Sequence, residues 1–248
     1  MDATFEVSEL KARRGGGWIA EAFALYRQKP FAWIGLCTGW LVITLVLLQV
    51  PHIGPALEGF LQPVFFASFA IAAFRQIAGE PVLMGDLFSG FRRNVRALVQ
   101  LGAFQMIAEL AIAIPIWVFL MPPIQASDGG VNLSEYLESL KGREWIVFLA
   151  LVALSAVKGA FWFAPPLIAF HDMSAAQAIR WSIYAAIANL VPMIVYGMLL
   201  VAMMFFGILT WGLAFLVVIP VMAISTFVGY REVFEAGRRP LTSGDTTA

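Results

Sequence analysis

Between Leu190 and Val228 the chain carries no charged side chain, a stretch far longer than the roughly 20 apolar residues that one helical crossing of a hydrocarbon core requires. The run has to fold back on itself. Thr210-Trp211-Gly212 offers the place, since glycine relaxes the backbone and tryptophan suits a membrane–water interface. Four further segments are long and apolar enough to span, so the predicted crossings are 31–50, 56–78, 98–121, 145–170, 190–209 and 212–230. The fold class that follows is an all-α integral membrane protein with about six transmembrane helices. One polytopic domain covers 17–236, between a tail over 1–16 and a tail over 237–248. Composition agrees: 60% of the residues are hydrophobic and 13% charged, where soluble domains carry about 25% charged residues.

Lysines and arginines set the orientation, because cytoplasmic loops carry an excess of them. One set of loops holds Lys11, Arg13, Arg14, Arg27, Lys29, Arg75, Arg92, Arg93, Arg96, Arg180, Arg231, Arg238 and Arg239. The opposite set holds only Lys141 and Arg143, among Asp128, Glu135, Glu138 and Glu144. Thirteen stand against two, with Lys158 left inside a span, which places both termini in the cytoplasm. The first apolar run begins near Phe31, is long enough to span and ends without a small-residue cleavage pattern, so it is expected to be retained as a signal anchor. The outer loop, 122–144, reads as a turn, Ser127-Asp128-Gly129-Gly130, followed by a short polar helix capped by Asn132 or Ser134. It is too small for a catalytic domain. The tail over 237–248 has the polar composition of a disordered segment.

The stretches before spans one, three and five resemble one another. The first sets Trp18, Ala22, Phe23 and Tyr26 against Glu21, Gln28 and Lys29. The second sets Leu87, Phe88, Phe91 and Val95 against Arg92, Arg93 and Arg96. The third opens with Ser174 and Gln177 at capping-box spacing and continues through Ile179, Arg180, Trp181 and Tyr184. A small residue followed by a bulky one recurs at Ala22-Phe23, Gly90-Phe91 and Ala178-Ile179. Aromatic and aliphatic residues at helical spacing beside arginines suit a helix in the headgroup plane. Two readings are open: three repeats of an interfacial amphipathic helix plus a transmembrane hairpin, or the basic and aromatic anchors that any re-entry into a membrane carries.

The segments GGGWIAEAFALYRQKPFAWIGL, GEPVLMGDLFSGFRRN and PPLIAFHDMSAAQAIRWS, in that order among six spans, resemble a family of uncharacterised bacterial inner-membrane proteins. The layout is similar to membrane domains described as glycerophosphodiester phosphodiesterase-like. The resemblance covers about 13–235 and is one of pattern, without a catalytic motif. It implies a bacterial inner membrane and a helical fold, and it brings no activity, since the soluble catalytic domain of such enzymes has no counterpart in these residues.

Charged groups within a membrane are expensive, and each is a candidate for function. Glu109 lies deep in span three and Lys158 deep in span four. From Arg96 and from Trp145, on opposite sides, each is reached after about 20 Å of helical rise, leaving the two about 10 Å apart along the bilayer normal, less with tilt. Gln105 precedes Glu109 by one turn on the same face, making a polar stripe. Such a pair serves either an ion- or proton-coupled pathway or the specific packing of two helices. Gly35 and Gly39 form a GxxxG that suits close helix packing, within the fold or against a partner. Trp18, Arg92, Arg93, Arg96, Arg180 and Trp181 are the candidate membrane-surface contacts.

Several functions are disfavoured. Sixteen basic and sixteen acidic residues leave no net field to recruit nucleic acid. His52 and His171 fall on opposite sides of the membrane, so they cannot share a haem or a metal, and the lone Cys37 forms no internal disulfide or thiolate cluster. No cofactor is implied. There is no phosphate loop, HExxH, GxSxG or CxxC. The expectation is a non-enzymatic inner-membrane scaffold, accessory subunit or lipid-organising protein, with lipids and other membrane polypeptides as partners. The alternative is a small transporter or lipid translocator using Glu109 and Lys158.

Overall fold

The computed structural model describes residues 6–120, 138 and 141–235. Within them every regular element is helical: α1 (Arg14–Gln28), α2 (Pro30–Leu48), α3 (Gly54–Ile77), a 3-10 segment (Met84–Arg92), α4 (Val95–Leu120), α5 (Glu144–Phe161), α6 (Ala164–His171), α7 (Ala175–Ala188), α8 (Leu190–Leu209) and α9 (Phe215–Glu235). Six stretches are long and apolar enough to cross a membrane: Pro30–Leu48, Gly54–Ile77, Val95–Phe119, Glu144–His171, Leu190–Leu209 and Phe215–Glu235. The outer-loop helix with its Asn132 or Ser134 cap, and the tail over 237–248, lie outside the described residues.

End residues explain where these helices stop and start. The stretch 145–170 is one candidate span built of two helices, α5 and α6, rather than one continuous helix. Pro165 and Pro166 stand in the first turn of α6, where the missing N–H groups leave no gap in the ladder, so the chain breaks just before them. The N–H of Phe163 at that break donates to Ser182 Oγ of α7 at 3.0 Å, which keeps a buried donor satisfied. The turn between α8 and α9 holds Trp211 at φ 55° and Gly212 at φ 89°, and α9 begins at Phe215 rather than at 212. Ser174 caps α7, accepting from the Gln177 N–H while Gln177 Oε1 accepts from the Ser174 N–H at 3.2 Å.

The fold is three units, each a short element followed by a hairpin. They are α1 with α2–α3, the 3-10 segment with α4–α5–α6, and α7 with α8–α9. Each short element packs on the hairpin of the unit before it: the 3-10 segment on α2 and α3, and α7 on α4, α5 and α6. α1 has no predecessor, and it packs on α8 and α9 of the last unit. The arrangement therefore closes into a ring.

The interior is formed by α3, α9 and the short α6, while α5 of the middle unit is largely exposed. Buried positions make up 56% of the most apolar window of α3 and 67% of that of α9, against 17% for α2 and 22% for α4, so the latter two leave their apolar flanks to lipid. Aromatic side chains tie the inner helices together. Phe170 of α6 lies 5.6 Å from Phe74 of α3 and 5.6 Å from both Phe227 and Tyr230 of α9. Such ring pairs contribute about 0.5–1.5 kcal/mol each beyond the area they bury. The recurring small residue has a steric role in all three units. Ala22, Gly90 and Ala178 are buried, while Phe23, Phe91 and Ile179 next to them face outward or lie half-buried. Gly90 shows why: a Cβ there would lie 2.2 Å from the Val64 carbonyl oxygen of α3.

Candidate functional site

The intramembrane polar site is assembled where α3, α4 and α5 meet. α3 and α4 approach closely because Gly102 has no side chain: a Cβ there would stand 2.6 Å from the Gly59 carbonyl oxygen and 2.7 Å from that of Phe60. That approach brings polar side chains of the two helices within reach. Gln105 Nε2 donates to Glu109 Oε1 at 2.8 Å and lies 3.3 Å from Gln62 Oε1. From α5, Lys158 Nζ stands 2.6 Å from Glu109 Oε1. Glu109 and Lys158, an estimated 10 Å apart along the normal from rise alone, are in direct contact because both side chains reach along their helices.

Two members of this cluster escaped the sequence reading. Glu58 of α3 interacts electrostatically with both Lys158 and Glu109, and Gln62 follows it by one turn on the same face. The available signal was a mirrored spacing, Glu58 with Gln62 on one helix and Gln105 with Glu109 on its neighbour. Lys158 is thus in direct contact with one carboxylate, Glu109, and within electrostatic reach of a second, Glu58. A cavity of about 60 Å³ lies beside them, lined by Gln62, Pro63, Phe66, Gln105, Lys158, Phe161, Trp162 and Pro165. It is large enough for about two water molecules.

A second polar region sits where α1 meets the end of α9. Arg14 donates to Glu232 at 2.5 and 2.8 Å and to Glu21 at 2.6 Å, and Trp18 Nε1 donates to Glu232 Oε2 at 2.7 Å. The hydrogen bonds from Glu232 and then Glu21 hold the Arg14 guanidinium above its ordinary pKa. On α3, Gln76 Oε1 accepts from Trp33 Nε1 at 2.6 Å, and Arg75 pairs with Asp86 and Glu80. His171 ends α6 with Asp172 in left-handed conformation after it, and the imidazole Nε2 lies 2.6 Å from the Tyr230 hydroxyl.

The remaining candidates are placed as follows. Trp18 is not a membrane-surface contact: it is wholly buried, because its indole N–H finds a carboxylate inside the α1–α9 contact while its rings meet Phe163 and Tyr196. Arg92, Arg93, Arg96 and Arg180 are exposed and Trp181 is half-buried, with its ring 6.0 Å from that of Tyr184. Gly35 and Gly39 face the 3-10 segment, where added Cβ atoms would meet Met84 and Leu87 side-chain ends at 3.1–3.4 Å. Their close packing is therefore within the fold.

No family model matches the chain, and no solved structure does. The chain is similar to a protein of Burkholderia thailandensis named a probable inner membrane protein. The two are 29% identical over 202 residues, covering 78% of this chain and 74% of the relative. That name states a location and no reaction.

Proposed function

We propose that the chain is a non-enzymatic protein of a bacterial inner membrane, acting as a scaffold, an accessory subunit of a membrane complex or an organiser of lipid, with both termini in the cytoplasm. The observation that carries this reading is the internal pairing of the intramembrane polar groups: Glu109 meets Lys158 at 2.6 Å and accepts from Gln105 at 2.8 Å, beside a cavity of only about 60 Å³. A pair of this kind fixes how helices pack. The Burkholderia relative supports the inner membrane. The test is native mass spectrometry of the protein gently extracted from its own membrane. Polypeptides retained at fixed stoichiometry support the accessory-subunit reading, and a chain that always emerges without polypeptide or lipid counts against the whole proposal.

A second reading, a small transporter or lipid translocator, is favoured by one observation, the excess carboxylate. Glu58 and Glu109 both face Lys158, next to helices carrying Pro63 and Pro115 in their interiors, and proline-interrupted helices line sites in many transporters. Purified protein in liposomes that moves neither ions, lipids nor hydrophobic solutes would end this reading.

A further inference from the structure

A cavity of about 370 Å³ opens between α1, α3 and α9, lined by Glu21, Ala24, Leu25, Gln28, Gln76, Ile77 and Arg231. That volume is in the range of small-molecule sites, roughly 300–1,000 Å³. The neighbouring Arg14, Arg75, Glu80, Asp86 and Glu232 all stand in ion pairs. Arg231 is half-buried and, among the described residues, has neither hydrogen bond nor ion pair. It lines the cavity, and its guanidinium offers five N–H donors in a planar fork that matches phosphate.

The opposite wall supplies the other sign. Arg14 is shared by two carboxylates, Glu21 and Glu232, so this trio carries one negative charge more than it neutralises. Glu21 gives Oε1 to Arg14 at 2.6 Å and keeps Oε2 without a hydrogen bond among the described residues. The cavity is thus neutral in sum and dipolar in arrangement, a guanidinium on α9 facing a partly uncompensated carboxylate on α1. The lining also includes the apolar Ala24, Leu25 and Ile77 and the polar Gln28.

We propose that this cavity binds the headgroup of a zwitterionic aminophospholipid, with Arg231 on the phosphate, Glu21 on the ammonium and the Leu25–Ile77 wall against the first carbons of the acyl chains. A purely anionic headgroup meets Glu21 with the wrong sign, and a quaternary ammonium has no N–H to donate to its Oε2. The proposal deepens the lipid-organising part of the proposed function and rests on it. Its failure is distinguishable, because the accessory-subunit reading is tested by co-purifying polypeptides.

The experiment reconstitutes the full chain in nanodiscs of equal parts phosphatidylethanolamine, phosphatidylglycerol and phosphatidylcholine, and reads retained lipid by native mass spectrometry. Phosphatidylethanolamine is expected to be retained over both others, with about a tenfold loss of that retention in Arg231→Gln, the scale of one charge-assisted contact. Arg231→Lys should keep part of it. Glu21→Gln should shift the preference toward phosphatidylglycerol, a reversal that a merely structural role for Glu21 does not produce. Equal retention of the three lipids, or an Arg231→Gln variant that folds and retains phosphatidylethanolamine unchanged, overturns the assignment. Free phosphorylethanolamine that competes as well as the lipid overturns the acyl-chain wall and makes the ligand a soluble phosphoamine.

Discussion

Trp18 donates its indole N–H to Glu232 at 2.7 Å, joining the first helix to the last across 214 positions of sequence. Arg14 reinforces the same carboxylate, with its Nε 2.5 Å from Glu232 Oε1. These contacts close the ring of three units, because α1 is the short element that packs on the final hairpin.

Opening that closure should therefore cost stability out of proportion to the size of the change. Trp18→Phe keeps an aromatic ring against Phe163 and Tyr196 but removes the donor to a charged acceptor, a loss of about 1.5–3 kcal/mol. The expected result is a lower unfolding midpoint in mild detergent, with proteolysis near the N-terminus accelerated first. An unchanged midpoint would mean that α1 is only laid against the bundle.

The shared lysine makes a directional prediction. Removing Glu109 leaves Lys158 with Glu58, whereas removing Lys158 leaves two carboxylates facing each other. Lys158→Met should therefore destabilise more than Glu109→Gln. The coupling between the two sites in a double-mutant cycle should be on the order of 1 kcal/mol, the scale of polar contacts between membrane helices. Equal single-mutant costs with no coupling would show the pair to be incidental.

Glycines of similar spacing should behave differently. At Gly102 an added Cβ meets only backbone, 2.6–2.8 Å from Gly59 and Phe60 atoms, so Gly102→Val has to push α3 and α4 apart and should cost about 1–3 kcal/mol or more. At Gly35 and Gly39 the obstacles are the flexible ends of Met84 and Leu87 at 3.1–3.4 Å. Gly35→Ala and Gly39→Ala should shift the unfolding midpoint far less than Gly102→Val does.

The same contrast marks how far the sequence was legible. Apolar length is a local property, so the six crossings could be read from single segments, while the small-then-bulky pairs left three units open beside ordinary interfacial anchors. Where a segment packs is not local. Trp18 looked like an interfacial anchor because its neighbours at helical spacing are aromatic, and only the distant Glu232 makes it a core residue. Gly35 and Gly39 formed the recognisable motif, yet the close backbone approach of α3 and α4 uses Gly102 against Gly59, which share no motif. Glu58 was passed over because it stands near the end of its span, where a carboxylate is unremarkable until Lys158 and Glu109 are placed beside it.

Alkaline pH separates charge from geometry at the ring closure. The folded-state pKa of Arg14 is raised by Glu232 and Glu21, so its contribution is fully present below the ordinary arginine value and is lost only as pH rises through the folded one, beyond any practical assay. In Arg14→Lys the ordinary value falls to about 10.4. Lysine beside the same carboxylates is again raised, so its contribution holds below about 10.4 and fades above it. The wild type should therefore exceed Arg14→Lys by a constant margin from pH 7 to 9, reflecting the lost forked contact, and the margin should widen above about pH 10. Melting both proteins across that range cancels every other titrating group. A margin that stays flat to the alkaline end would show that the positive charge at position 14 does not hold α1 against α9.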